Sequence, residues 1–202
     1  MKPLILASAS PRRKALLGAL GLTFEVTTSH ALEIDEGSSP EEIVLSNARR
    51  KRDEVAERLH RDAIIIAADT LVFLDQHVLS KPKDVAEAHT MLRMLSGNTH
   101  QVVTGLAIID TGTGQAVEGH ECTDVTFRDL SDEEIAHFVH AVNPVDRAGA
   151  YTVDGPGSLL VARYNGCYQN VLGLPIVRLD SLLKKLNVSL IEEMDTNKTV
   201  FL

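Results

Sequence analysis

Asp69 is the residue most suggestive of chemistry, because it interrupts an otherwise apolar stretch, AIIIAA at 63–68 and TLVFL at 70–74. A carboxylate emerging from hydrophobic surroundings at a strand end either binds a cation or serves as an acid or base. An aspartate can also mark a turn or cap backbone amides, but the apolar residues beyond Thr70 argue against a turn here. Lys51 is the second such position. In the segment Pro40 to His60 the apolar residues Val44, Ala48, Val55 and Leu59 recur at helical spacing, and Lys51 falls on the same stripe. An ammonium directed inward needs a partner, since burying it unpaired is costly. The alternative is that its stem runs along the edge of the core with the charge in water. Arg49, Arg50 and Arg52 point away from the stripe and read as a solvated face.

A third group lies near the N-terminus, where Ser8, Ser10, Arg12 and Arg13 follow a short apolar run. Ser10-Pro11 is a helix start, with the serine as N-cap and proline at the first helical position. The backbone N–H groups of a helix N-terminus favour anions, so arginines in this turn suit a phosphate. Solvated arginines behind a simple cap fit the same residues, and this segment alone leaves both readings open. Lys81 and Lys83 flank Pro82 in a rigid loop, which is compatible with phosphate or with solvent. His100, His137 and His140 read as structural, with no cysteine or acidic cluster at zinc-site spacing. There is no GxxxxGK[ST] loop, no strand–GxGxxG–helix unit and no GxSxG elbow.

These positions must be held by alternating strands and helices. Residues 3–7 read as a strand, followed by a helix closing at Gly18 and Gly21. Ser39-Pro40-Glu41-Glu42 opens a second helix to about His60, with Glu42 completing a capping box. The runs around Asp69 and Val78-Leu79 are strand-like. Asp84 and Glu87 start a third helix that stops at Gly97. Residues 101–110, a TGTG turn and residues 116–128 form a hairpin, and Ser131 with Glu134 caps a fourth helix. SLLVARY (158–164), an Asn165-Gly166 turn and a helix around Leu179–Leu186 complete the pattern. Hairpins between helices predict an α/β fold with a mixed sheet. Residues 1–188 form the domain, and the polar residues 189–202 read as a flexible tail.

The 202 residues are 44% hydrophobic and carry a formal net charge of −8, which argues against general nucleic-acid binding. Residues 1–52 hold eight Lys/Arg against six Asp/Glu, while the remaining 150 hold twelve against twenty-two. The chain thus concentrates its cations near the N-terminus, where a small anion would sit. Two widely separated cysteines, Cys122 and Cys167, imply no disulfide framework and point to a reducing, cytoplasmic setting. No apolar run is long enough to span a bilayer, and the first apolar stretch is too short for a signal peptide and turns basic immediately after it.

Seven strings in order resemble the Maf family of nucleoside triphosphate pyrophosphatases: SASPRRKALL (8–17), AADT (67–70), SKPKD (80–84), MLRMLSGNTHQVVTG (91–105), VTFRDLSDEEI (125–135), DRAGAYTVDGPG (146–157) and VLGLPI (171–176). The resemblance implies an elongated mixed sheet flanked by helices, of the Maf and ITPase kind, with a cleft between two lobes and usually a homodimer. It implies hydrolysis between the α- and β-phosphates with a divalent cation, Mg²⁺ or Mn²⁺. By the same resemblance Asp69 is the proton acceptor, Arg13, Lys51 and Lys81 handle phosphate, and Ser8 belongs to the substrate site. The metal-associated acid best matches Glu36, acting with Asp69. Base-sorting positions fall on Arg12, Thr70 and Asp154. Arg12 with Thr70 matches the branch that acts on dTTP and UTP, whose third residue is glutamine. Asp154 departs from that pattern, and a related branch that hydrolyses methylated GTP carries an acid there, so modified nucleotides stay open. The family name derives from an association with septum formation, which leaves a non-catalytic nucleotide-binding regulator of cell division as the rival reading. A phosphatase removing only the terminal phosphate is another.

Overall fold

The first strand, β1 (Leu4–Leu6), is apolar on both faces and wholly buried, as a parallel strand between two neighbours must be. In the computed structural model, which describes residues 2–75, 77–195 and 197–200, β1 runs parallel to β2 (Phe24–Val26) and to β3 (Ile64–Leu74). β3 continues into an antiparallel pairing with β4 (His77–Leu79). β5 (Thr99–Asp110), β6 (Ala116–Phe127) and β7 (Val161–Asn165) complete a seven-stranded mixed sheet of order β2-β1-β3-β5-β6-β7. The helices are α1 (Pro11–Ala19), α2 (Pro40–Leu59), α3 (Val85–Leu95), α4 (Asp132–Val142), α5 (Tyr168–Val171) and α6 (Ile176–Leu183). This is the α/β class expected from the sequence. Among the described residues, no helix is long and apolar enough to cross a membrane.

Several boundaries differ from the expectations, each for a local reason. The runs flanking Asp69 are one continuous strand, because the carboxylate is satisfied by side chains and the chain need not break there. At α2, Ser39 accepts from the Glu42 N–H, but the Glu42 carboxylate takes the Ser38 hydroxyl instead of closing a capping box. At α4 the box is complete, between Ser131 and Glu134. β7 begins later than the SLLVARY run because residues 155–159 wind into a 3-10 turn. That turn requires Gly157, since a Cβ there would lie 1.5 Å from the Thr152 carbonyl oxygen.

The chain divides into two compact units. The first comprises Met1–Asp69, Thr104–Glu121 and Gly173–Leu202. Within it α2 packs on the sheet, with Val55 buried among Ile5, Ala7, Ile65 and Ala67. A Cβ on Gly105 would stand 2.6 Å from the Val44 carbonyl, so only glycine lets β5 approach this helix so closely. Of the segment after residue 188, expected to be a loose tail from its polarity, Leu190 and Val200 make contacts within this unit. Leu190 is buried and its N–H donates to Asp180 at 2.8 Å, while the Val200 N–H donates to the Ala19 carbonyl at 3.0 Å.

The second unit comprises Thr70–Val103 and Cys122–Leu172. Its core gathers Leu92 and Leu95 of α3, Phe138 and Val139 of α4, and Phe127 and Tyr151. His100 lies buried among these, edge-on to both Phe127 and Tyr151, with its Nε2 2.6 Å from the Tyr151 hydroxyl. Burial pushes the imidazole down to about 4. Folding therefore favours the neutral ring, and its contribution is fully present above the ordinary value of 6.5 and lost as pH falls toward 4. Relative to His100→Phe, wild type is expected to lose about 3 kcal/mol more stability between pH 7 and pH 4. Urea denaturation of both proteins across that range checks this, and parallel curves would show that His100 does not titrate between the two states.

Candidate active site

Lys51 and Asp69 meet inside the first unit. The Lys51 ammonium donates to Asp69 Oδ1 at 2.6 Å, and the Asp69 residue is only 4% exposed. The same ammonium lies 2.6 Å from Glu33 Oε1. Lys51 thus has partners, and the apolar stripe of α2 is what delivers it: Val44, Ala48 and Val55 are fully buried on the face that carries it. The second carboxylate oxygen of Asp69 accepts from the Asn47 side-chain amide at 2.9 Å. That amide also bonds the Ile34 backbone twice, donating to its carbonyl and accepting from its N–H, each at 2.8 Å.

Arg13 is buried in the third turn position behind its cap. Ser10 accepts from the Arg13 N–H, and the guanidinium turns inward, its Nε donating to the Gly173 carbonyl at 2.8 Å and its Nη1 to Ser8 Oγ at 3.2 Å. Burial pushes this guanidinium down from its ordinary range, opposed by the negative charges of Asp69 and Glu33. Arg13 therefore shares a field with the two carboxylates that hold Lys51. Ser8, also buried, accepts from the Ser10 N–H as well, which fixes the turn before α1. The two arginines are not equivalent, since Arg12 is half-buried and Arg13 is buried.

The remaining expected residues are placed as follows. Glu36 is exposed, and the acid of that segment that reaches Lys51 is Glu33, three residues earlier. Thr70, Lys81 and Asp154 belong to the second unit. Thr70 is half-buried on β3, immediately after Asp69. Lys81 is exposed on a loop whose preceding residue, Ser80, accepts the Gly149 N–H through its carbonyl at 3.2 Å. Asp154 is exposed and accepts from the Thr152 hydroxyl, while the Tyr168 hydroxyl donates to the neighbouring Val153 carbonyl at 3.3 Å. Arg49, on the face read as solvated, forms a two-pronged pair with Glu118 of β6 at 2.6 and 2.9 Å, both side chains remaining 40% exposed.

Sequence reasoning missed Glu33, Asn47 and Gly173. Asn47 carried a usable signal, since it sits on the inward stripe three residues after Val44 and four before Lys51. Gly173 carried none, because its role is a carbonyl 160 residues from Arg13.

Among the described residues no group of three or more His, Cys, Asp or Glu side chains is arranged to hold a metal ion. The available donor set is two carboxylates, Asp69 and the half-exposed Glu33, converging on one ammonium. That set suits a hard divalent cation whose remaining ligands are water and phosphate oxygens, the usual mode for Mg²⁺. Chemically, a buried carboxylate beside a lysine and an arginine can take a proton from water while the cations accept developing negative charge.

The family model described as "Maf-like protein" matches residues 3–186. A dTTP/UTP pyrophosphatase of Caldicellulosiruptor bescii is 44% identical over 95% of this chain and 98% of its own length. One of Alkaliphilus oremlandii is 46% identical over 91% and 96% respectively. Among solved structures, a HAM1 protein from Coxiella burnetii aligns with a TM-score of 0.51 at 15% identity, covering 92% of this chain and all of that one. This last likeness concerns the fold alone.

Proposed function

The chain belongs to the Maf family, and from this premise we propose that it hydrolyses nucleoside triphosphates between the α- and β-phosphates, releasing a nucleoside monophosphate and pyrophosphate. The observation that carries the chemistry is the buried Asp69 held by Lys51 and Asn47 in the field of Arg13. In the reaction a water oxygen forms a bond to the α-phosphorus and the bond to the α–β bridging oxygen breaks. Asp69 takes the proton of the attacking water, and the electron pair of the broken bond leaves with pyrophosphate. Lys51 and Arg13 orient the triphosphate and offset the charge that grows on the leaving group. Lys81 holds phosphate as well, by the resemblance.

Glu33 and Asp69 are the residues we assign to a divalent cation, Mg²⁺ or Mn²⁺, with Glu33 in place of Glu36 because it is the acid that meets Lys51. When bound, such a cation supplies positive charge to the phosphates. The same reading has the enzyme working in the cytoplasm as a homodimer. The net charge of −8 supports the absence of a nucleic-acid partner. Phosphorus NMR of the products tests the reaction: pyrophosphate is expected, orthophosphate alone would indicate a terminal phosphatase, and unchanged triphosphate a non-catalytic binder.

We assign dTTP and UTP as substrates, as in the relatives' names, with weaker preference over other bases than the glutamine-bearing branch shows. The reason is Asp154. A glutamine amide both donates and accepts toward a pyrimidine ring, whereas an ionised aspartate only accepts. Asp154→Gln is therefore expected to raise the kcat/KM ratio of dTTP and UTP over GTP by about tenfold. A panel including CTP and methylated GTP checks this, and identical profiles for both proteins would show that Asp154 does not face the base.

A further inference from the structure

We propose that Asn47 is a positioning residue of this site, fixing Asp69 and the Glu33 segment relative to each other; the proposal rests on the hydrolase reading above. Asn47 is 1% exposed. Three hydrogen bonds use its amide: Oδ1 accepts from the Ile34 N–H, and Nδ2 donates to the Ile34 carbonyl and to Asp69 Oδ2. The orientation of the amide is dictated by chemistry, since only its oxygen can face an N–H and only its nitrogen can face a carbonyl and a carboxylate. Nδ2 has two hydrogens and both have acceptors. One side chain thereby pairs both backbone groups of Ile34 in a segment without regular secondary structure.

The consequence concerns the residue before Ile34. Glu33 holds its carboxylate 2.6 Å from the Lys51 ammonium although its side chain is half-exposed. A half-exposed ion pair alone confers little order, because solvent screening and side-chain entropy offset the attraction. The buried amide of Asn47, one helical turn before Lys51, supplies the order instead. It anchors the Glu33 backbone to α2 and at the same time stops Asp69 from rotating about its terminal torsion. If Asn47 were only a satisfied core amide, its loss would affect stability and leave the coupling between Asp69 and Glu33 untouched.

Asn47→Leu keeps the branching of the side chain, though not its volume, and removes all three bonds. We expect kcat to fall about 10–100-fold with KM within about threefold, as for other residues that orient catalytic groups through a hydrogen bond. Hydrogen exchange at the Ile34 amide should quicken. In a Glu33→Gln background the same substitution should cost less than in wild type, because the segment it anchors has already lost its charge and only the loss through Asp69 remains. Should Asn47→Leu not fold, Asn47→Ala serves: it removes the same three bonds without adding bulk or charge beside Asp69, and the same loss of kcat is expected. A kcat within threefold of wild type for a folded variant, or an equal loss with and without Glu33, overturns the proposal. Pyrophosphate release by wild type separates the two readings: if wild type releases none, both fall; if it does and the Asn47 variants match it, only this one falls.

Discussion

Asp69→Asn is expected to lower turnover by about two to four orders of magnitude, while triphosphate binding stays the same or tightens. The size is unchanged but the base is gone, and one negative charge near the phosphates disappears. The structure adds a second consequence. Both Asp69 oxygens accept, one from Lys51 and one from Asn47. An asparagine offers one acceptor and one N–H₂ group, so one of these donors would face another donor. That mismatch costs about 1–3 kcal/mol, a fall of about 2–12 °C in Tm at about 2–4 °C per kcal/mol for a chain of this size. The measurement is kcat for dTTP well below the melting transition, with calorimetric binding of an analogue carrying a methylene between the α- and β-phosphorus atoms. Turnover above a tenth of wild type would show that another group takes the proton.

Lys51→Met should remove at least about a hundredfold of the activity and, unlike Asp69→Asn, should weaken binding of the triphosphate as well. The ammonium separates two carboxylates, one buried and one half-exposed. Without it Asp69 remains buried with the Asn47 amide and only the field of Arg13 as counter-charge, and breaking a buried pair in this way costs about 3–5 kcal/mol. A fall in Tm on the order of 10 °C follows, with the fold retained. Melting and steady-state kinetics on this one variant decide between two roles. A lower Tm with unchanged kcat and KM would make the pair purely structural. Loss of activity measured at a temperature where the variant is fully folded would place Lys51 on the substrate.

What the sequence determined by itself was whatever is encoded by local period and local capping. The apolar stripe of α2 placed Lys51 inward, and the structure has it buried. Ser10, Ser39, Asp84 and Ser131 started their helices as expected, because an N-cap is a contact over three residues. The apolar runs around Asp69 and the helix start at Ser10 singled out Asp69 and Arg13, and both are buried polar residues of the first unit. Strand β2 and helix α5 escaped notice, being too short to show a period.

Only the tertiary structure decided which groups meet. Glu33 and Glu36 are indistinguishable as residue types in a segment with no regular period, and selection between them depends on how Asn47 pins Ile34. The inward turn of Arg13 depends on a carbonyl at Gly173, and the burial of Leu190 in the polar C-terminal segment on its finding a core. Hydrogen bonds between residues far apart in the chain leave no local pattern, since each partner needs only the right atom at the right place. Periodicity could therefore say that Lys51 faces inward, but not that it would be shared by two acids under an asparagine.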